Sequence, residues 1–213
     1  MTDLKHLSVE KFTAATASDA PAPGGGSVAA LVGSLGAALA EMVANLTAGK
    51  EKFAEVDAEM QLVAAEAATI RLQLLDEIKK DVESFTAYMT ALRMPKETEK
   101  QKAVRSAAMQ AGLKEASLVP LEMAKTAIRI FPLAETAVKK GNPTAVTDGL
   151  AAAMLARTAV ISGLLNVKIN LGSIRDEAFV ADLSAQVKNL EQQAISLEKQ
   201  VLGCSALTDK IFE

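Results

Sequence analysis

The chain has 213 residues, of which 50% are hydrophobic and only 3% aromatic, so aliphatic side chains must fill its core. Its net charge of −3, with acids and bases interspersed, provides no basic patch for nucleic acid. A single cysteine, Cys204, and a single histidine, His6, exclude an internal disulfide and a histidine-rich metal site. This composition is typical of helical bundles, and the length predicts one domain over residues 1–213.

The first predicted helix, residues 4–17, is followed by the only segment rich in proline and glycine, SDAPAPGGGS. We expect Ser27, at the end of this segment, to cap a second helix over residues 28–47. Three consecutive glycines before a helix N-terminus leave backbone N–H groups open to a carboxylate, a phosphate or a polarised carbonyl. A flexible linker between two helices is the alternative interpretation.

The second helix is apolar and approaches membrane-span length, but it contains Glu41 and Asn45 and is rich in alanine and glycine. We therefore interpret it as a buried helix of a soluble bundle, with a membrane span as the minor alternative. Lys50 follows this helix, where a basic side chain complements the helix C-terminus. The N-terminal residues lack the apolar stretch of a signal peptide, so we expect a cytoplasmic protein.

The third predicted helix covers residues 54–92, with apolar side chains every three or four residues. Asp81 lies near its end and shares one stripe, about 60° wide, with Phe85, Tyr88 and Leu92. An acid among apolar neighbours either finds a buried partner or has its pKa raised toward the range useful for proton transfer. A charge at the edge of a solvated face is the alternative interpretation.

Four more helices are predicted from apolar periodicity and helix-breaking residues. They cover residues 98–115, residues 120–140 with a kink or break at Pro132, a segment that begins at Pro143, and residues 174–202. Pro120 is expected to open the second of these helices. Because we find no convincing strand, internal repeat or long heptad array, we predict an all-α, single-domain bundle of about seven helices, one of them very long.

Polar side chains interrupt the apolar helix that begins near Pro143. Asp148 lies near its start, and Asn166 and Asn170, four residues apart, share one face near its end. Buried asparagines need hydrogen-bond partners, so this pair is either a structural clamp on a neighbouring helix or a hydrogen-bonding set for a ligand. In one straight helix Asp148 would lie about 27 Å from Asn166. Either the helix breaks, for example near Gly163, or the two residues belong to different pockets or to pockets shared between subunits.

Several of these stretches together resemble the cyclodeaminase/cyclohydrolase family, which acts on one-carbon derivatives of tetrahydrofolate. They are APAPGGGSVAALVGSLGAALAEMVANLTAGKEKF, DVESFTAYMTALRMPK, EASLVPLEMA, GNPTAVTDGLAAA and NVKINLGSIRDEAF, in family order over about residues 5–200. The family includes the cyclodeaminase half of formiminotransferase-cyclodeaminase and stand-alone bacterial methenyltetrahydrofolate cyclohydrolases. The resemblance implies an all-helical fold that forms a homodimer.

The resemblance also implies that the acid of the D-x-x-x-F-x-x-Y block, Asp81, is a catalytic proton donor and acceptor. In cyclodeamination, folate N10 attacks the formimino carbon on N5, and the resulting aminal expels ammonia to give 5,10-methenyltetrahydrofolate. In the cyclohydrolase reaction, water attacks the methenyl carbon to give 10-formyltetrahydrofolate. We expect cyclodeamination, with cyclohydrolase activity as one alternative and a non-catalytic helical dimerisation module as another.

Other site residues are inferred from the resemblance together with their own chemistry. We expect the folate to meet the backbone donors of the glycine segment, with Lys50 on its glutamate carboxylates and Tyr88 beside its pterin. The remaining candidates line the pocket or hydrogen bond to the pterin, and each has a structural role as its alternative: Gly24, Gly25, Gly26, Ser27, Asp148, Asn166 and Asn170. We expect no metal and no cofactor beyond the tetrahydrofolate substrate.

Overall fold

Seven α-helices follow one another in a computed structural model of the protein, which describes residues 4–208. They are α1 (Val9–Thr16), α2 (Gly25–Thr47), α3 (Asp57–Leu92), α4 (Glu99–Ile128), α5 (Ile130–Lys140), α6 (Val146–Leu171) and α7 (Glu177–Leu202). Short 3₁₀ turns occur at Leu4–His6, Glu51–Val56, Pro143–Ala145 and Ala206–Thr208. Within residues 4–208 there is no strand, and the predicted all-α class is confirmed.

The helices α2 and α6 lie side by side at the centre of the bundle, and α3, α4, α5 and α7 pack around them. Close packing is possible because α2 presents small residues to its neighbours. A Cβ atom added to Gly36 would lie 3.1 Å from the Ala152 carbonyl oxygen of α6. Alanines and aliphatic side chains of α2 to α7 form most of one main core, as the composition predicts, and α1 adds Phe12.

The longest helix, α3, has 36 residues and runs antiparallel to α2. Near the middle of α2 the Ser34 hydroxyl donates to the Arg71 carbonyl over 3.2 Å, and at its start Ser27 contacts Asp81. The expected long helix is therefore present, although α3 begins at Asp57 because residues Glu51–Val56 form a 3₁₀ turn. This arrangement brings the C-terminal half of α3 against the first turn of α2.

The predicted helix boundary at Pro120 is wrong. Helix α4 continues through Pro120 to Ile128, and the chain turns at Arg129 instead. Pro120 is tolerated because Asn170 binds the carbonyl group that a proline leaves without an intrahelical partner. The expected kink or break at Pro132 is present, since α4 ends at Ile128 and α5 begins at Ile130: Pro132 has no N–H for the Ile128 carbonyl four residues earlier, so the helix is interrupted one turn before the proline.

Two helical segments, Gly25–Thr47 and Pro143–Leu171, are long and apolar enough to cross a membrane by length and composition alone. In the bundle, 56% and 50% of their most apolar windows are buried, as in core helices of soluble proteins. The remaining exposed parts of α2 and α6 carry apolar side chains, including Leu35, Leu165 and Ile169. These two helices therefore have one face in the core and one uncovered apolar face.

Candidate active site

The first turn of α2 differs from its predicted form. The helix begins at Gly25 with Gly24 as N-cap, so Ser27 is the third helical residue and the prediction that it caps the helix is wrong. Ser27 is fully buried, and its hydroxyl donates to Oδ2 of Asp81 over 2.7 Å. The carboxylate of Asp81, from α3, thus lies at the N-terminus of α2, where a capping side chain usually lies. The helix dipole stabilises a negative charge at this position.

The close approach of α3 to α2 requires glycine at position 26. A Cβ atom on Gly26 would lie 2.1 Å from Oδ1 of Asp81 and 2.7 Å from its carboxyl carbon. Real Cβ atoms do not come so near another heavy atom, so any larger residue would displace the carboxylate. The glycine segment is therefore part of a fitted contact, which a flexible linker would not need.

Asp81 is half-buried, and this burial raises the pKa of its carboxyl group above the usual aspartate value. The hydroxyl and backbone N–H of Ser27 oppose the rise because they stabilise the ionised form. The two lysines that precede Asp81 pair with other acids: Lys79 with Glu83 at 3.7 Å and Lys80 with Glu77 at 2.7 Å. The resulting environment favours a carboxyl group that exchanges a proton closer to neutral pH.

A third helix reaches the same place through Asn166 of α6. Its amide nitrogen would lie 3.6 Å, and its amide oxygen 3.9 Å, from a Cβ atom on Gly25. The amide donates to the Ser162 carbonyl over 2.8 Å, which holds the half-buried side chain against its own helix. Five of the predicted site residues are thus brought together where α2, α3 and α6 meet: Gly25, Gly26, Ser27, Asp81 and Asn166.

Tyr88 and Asn170 lie farther from the α2 N-terminus. Tyr88 is two helical turns, about 10 Å, beyond Asp81 along α3, and its backbone packs on Gly112 of α4. Asn170 is one turn beyond Asn166, and its amide donates to the Ala116 carbonyl of α4 over 2.8 Å. The clamp interpretation of the asparagine pair therefore describes Asn170, whereas contact of either residue with a ligand stays a prediction.

Lys50 and Asp148 lie at the opposite end of the bundle. Helix α2 has 23 residues and spans about 33 Å, with Lys50 exposed beyond its C-terminus. Helix α6 is unbroken at Gly163, so Asp148 lies about 27 Å along it from Asn166. The Asn142 N–H, just before α6, donates to the Thr47 hydroxyl at the end of α2. Within one chain, these two residues do not share a pocket with Asp81.

No group of three or more His, Cys, Asp and Glu side chains in the described part of the chain is placed to hold a metal ion. Whether the reaction uses a cofactor is a separate question, and the expectation of none stays a prediction.

Residues 8–189 match the model of the formiminotransferase-cyclodeaminase family. The chain belongs to this family. It is 38% identical over 193 residues to the methenyltetrahydrofolate cyclohydrolase of Methylorubrum extorquens, which covers 91% of this chain and 93% of that protein. It is 35% identical over 191 residues to the formimidoyltransferase-cyclodeaminase of Sus scrofa, covering 90% of this chain but only 35% of that longer protein.

Among solved structures, the crystal structure of formiminotetrahydrofolate cyclodeaminase from Thermotoga maritima matches with a TM-score of 0.85 and 32% identity. The match covers 94% of this chain and 96% of that chain. Membership of the family, the expectation of an enzyme and the all-α fold are therefore confirmed. The family assignment alone does not select between deamination and hydrolysis, because its members carry both names.

A clamp on a neighbouring helix was one of the two roles predicted for the asparagine pair, but its partner, the Ala116 carbonyl of α4, was not predicted. The signal was present in the sequence, since a proline at position 120 must leave the carbonyl of Ala116 without its helical donor. A proline at a helix start would need no such donor, whereas a proline inside α4 does. Asn170 is that donor.

Proposed function

We propose that this protein is a tetrahydrofolate one-carbon enzyme that cyclodeaminates 5-formiminotetrahydrofolate, with Asp81 as its proton donor and acceptor. The observation that carries the proposal is the half-buried Asp81 carboxyl group held by Ser27 between the glycine turn of α2 and Asn166. The name of the similar Thermotoga maritima enzyme supports the same reaction. We place the protein in the cytoplasm and assign it no metal or cofactor besides the folate.

Cyclodeamination requires two proton movements at one place. Folate N10 attacks the formimino carbon, the N10–C bond forms, and N10 must lose its proton. The former imine nitrogen must then be protonated, since it leaves as ammonia when its bond to carbon breaks. A carboxyl group with a raised pKa suits both steps because it holds a proton more strongly than an ordinary aspartate, so it can accept the first proton and then pass it on to the leaving nitrogen.

The other grouped residues have supporting roles in this proposal. In the first turn of α2, the N–H groups of Gly25 and Gly26 are donors for an acceptor atom of the folate, because N–H groups at a helix start have no partner within the helix. The third N–H, that of Ser27, already donates to Asp81. Asn166 presents an amide beside Gly25 and suits the ring nitrogens or carbonyl of the pterin. Phe85 and Tyr88 continue the stripe of Asp81 along α3, and we assign them to the shape and polarity of the pocket wall.

Methenyltetrahydrofolate cyclohydrolase activity is the second candidate. It is favoured by the 38% identity to a cyclohydrolase over nearly the whole length of both proteins. The same carboxyl group serves this reaction: it accepts a proton from the water that attacks the methenyl carbon. It then donates to N5 as the N5–C bond breaks and 10-formyltetrahydrofolate forms.

The two reactions are separated by incubating the protein with each substrate alone and following methenyl absorbance and ammonia together. Cyclodeamination predicts rising absorbance and an equal amount of ammonia from 5-formiminotetrahydrofolate. Cyclohydrolase activity predicts falling absorbance from 5,10-methenyltetrahydrofolate without ammonia. Failure of both reactions, together with no thermal shift on adding a folate, would instead identify a non-catalytic helical module.

We also propose that the protein is a homodimer formed through the outer faces of α2 and α6. The only charged residue of α2, Glu41, pairs with Arg71 of α3 at 2.7 Å, and on α6 Arg157 and Lys168 pair with acids of α7. Apolar side chains are exposed on these outer faces, with Leu35 at 51% and Ile169 at 76%. Two helices about 33 Å long and 10 Å wide present roughly 700 Å² per protomer, close to the ~800 Å² of a standard interface.

An antiparallel pairing of these faces is favoured because it sets the N-terminus of each α2 beside the C-terminus of its partner, which aligns the helix dipoles favourably. This pairing also brings the end of one helical bundle, which carries Lys50 and Asp148, toward Asp81 of the other protomer. The pocket then lies at the subunit interface, and the two groups of candidate residues that are separated within one chain belong to one site.

A further inference from the structure

The contact between α4 and α6 depends on a carbonyl group that has lost its helical partner. In a regular α-helix the carbonyl of Ala116 would accept from the N–H of residue 120, but Pro120 has no N–H. The amide of Asn170 on α6 donates to this oxygen over 2.8 Å. The side chain of one helix thus replaces a backbone donor that the other helix lacks.

The two helices are unusually close at this level. A Cβ atom on Gly163 of α6 would lie 3.1 Å from the Pro120 carbonyl oxygen and 2.3 Å from the terminal methyl carbon of Met123. Asn166 lies between Gly163 and Asn170 on the same helix, and its amide faces Gly25. The position of Asn166 is therefore set by how α6 sits on α4.

We propose that Asn170 is a positioning residue that acts through Ala116. By supplying the donor that Pro120 lacks, it fixes the height and rotation of α6 on α4 and so places Asn166 beside the N-terminus of α2. One donor of its amide nitrogen is engaged by the Ala116 carbonyl oxygen. The link to catalysis rests on the proposed function, whereas the clamp itself does not.

The test is a double-mutant cycle of Asn170→Ala and Pro120→Ala, because alanine at position 120 restores the backbone N–H to the Ala116 carbonyl. In the native background, Asn170→Ala leaves a polar group without its partner and should lower Tm by about 3–10 °C. In the Pro120→Ala background the same change should cost no more than about 2 °C, since the helix again satisfies the carbonyl. Equal losses in the two backgrounds would overturn the proposal.

Activity gives a second readout that a folate contact would not share. We expect Asn170→Ala to lower kcat/KM about tenfold or more in the native background. The loss should shrink to within about threefold of the parent in the Pro120→Ala background. Asn166→Ala is the matched control, since its amide donates within its own helix and its loss should be the same in both backgrounds.

Asn170→Asp keeps the test decisive if Pro120→Ala fails to fold. This change preserves shape but sets a carboxylate oxygen against the Ala116 carbonyl, so Tm should fall at least as far as with alanine. Wild-type stability of Asn170→Asp would contradict the clamp. The unfolding measurements need no substrate. If the protein proved inactive but the Tm losses of Asn170→Ala still differed between the two backgrounds, the proposed function would be refuted and the clamp would stand.

Discussion

The carboxyl group of Asp81 occupies the space in which a side chain at position 26 would begin, with 2.1 Å between its Oδ1 and a Cβ atom built on Gly26. Neither residue has room for a larger neighbour, so α2 and α3 fix the acid by contact as well as by the 2.7 Å hydrogen bond from Ser27. A site held in this way should be sensitive to changes of a single methyl group.

Gly26→Ala should lower kcat/KM by about 10²-fold, because the added methyl group must push the Asp81 carboxyl group away from its position. Gly172→Ala is the matched control at a helix end outside the site, since its Cβ would make only an ordinary 3.8 Å contact with the Ile169 carbonyl oxygen. Steady-state kinetics on both variants check the prediction. Equal effects of the two substitutions would show that the contact with Asp81 is not special.

Ser27→Ala should raise the pKa of Asp81 further, because it removes a donor that stabilises the ionised carboxylate. The limb of the pH profile of kcat/KM that belongs to Asp81 should then move to higher pH. Ser84→Ala is the control, since the Ser84 hydroxyl donates to the backbone carbonyl of Asp81 over 2.9 Å and does not reach its carboxyl group. An unchanged profile for Ser27→Ala would argue against Asp81 as the titrating group.

Asp81→Asn should make the folded protein at least as stable as the wild type at neutral pH. The folded-state pKa of Asp81 lies above its unfolded value, so the wild type loses stability as pH rises through the interval between them. The amide does not ionise and avoids this loss. In thermal unfolding from about pH 4 to 8, the Tm of the variant should exceed that of the wild type by a margin that grows with pH. Each kcal/mol of difference in stability corresponds to roughly 2–4 °C in Tm. An advantage that grows toward acidic pH would contradict the raised pKa.

The shared interface predicts that two inactive variants restore each other. If Lys50 acts on the site of the partner protomer, then mixing Asp81→Asn with Lys50→Ala under conditions of subunit exchange produces heterodimers with one intact site. Up to about a quarter of wild-type activity should return, since half of the dimers are mixed and each has one of its two sites.

Leu35→Asp provides the control for this experiment because it sets a charge on the exposed apolar face of α2. It should shift the protein to monomers in light scattering and abolish the complementation. If activity does not recover in a mixture that demonstrably exchanges subunits, the shared site is contradicted. Asp81 and Lys50 would then act in the same protomer, or Lys50 would have a structural role.

Helix periodicity predicted much of this architecture correctly. The three- and four-residue spacing of apolar side chains indicated the long α3, and the same spacing placed Asp81 among apolar neighbours, where it is in fact partly withdrawn from water. These features depend on neighbours along one helix, which sequence spacing reports directly.

The errors concern contacts between helices. Ser27 has the residue type of an N-cap, but Asp81 of α3 occupies the N-terminus of α2 and Ser27 binds it from the third helical position. Pro120 has the residue type of a helix start, but α4 continues through it. The Ala116 carbonyl, which Pro120 leaves without a backbone donor, accepts a hydrogen bond from Asn170 of α6 instead. In both cases a side chain from a distant segment supplies the missing partner, and no local pattern shows which segment that is.

The most direct measurement of the central claim is turnover by Asp81→Asn on 5-formiminotetrahydrofolate and on 5,10-methenyltetrahydrofolate. The account predicts a folded variant that still shows a thermal shift with folate but has lost about 10²–10⁴-fold in kcat on whichever substrate the wild type uses. Near-wild-type turnover by the variant would contradict the assignment of Asp81 as the proton donor and acceptor.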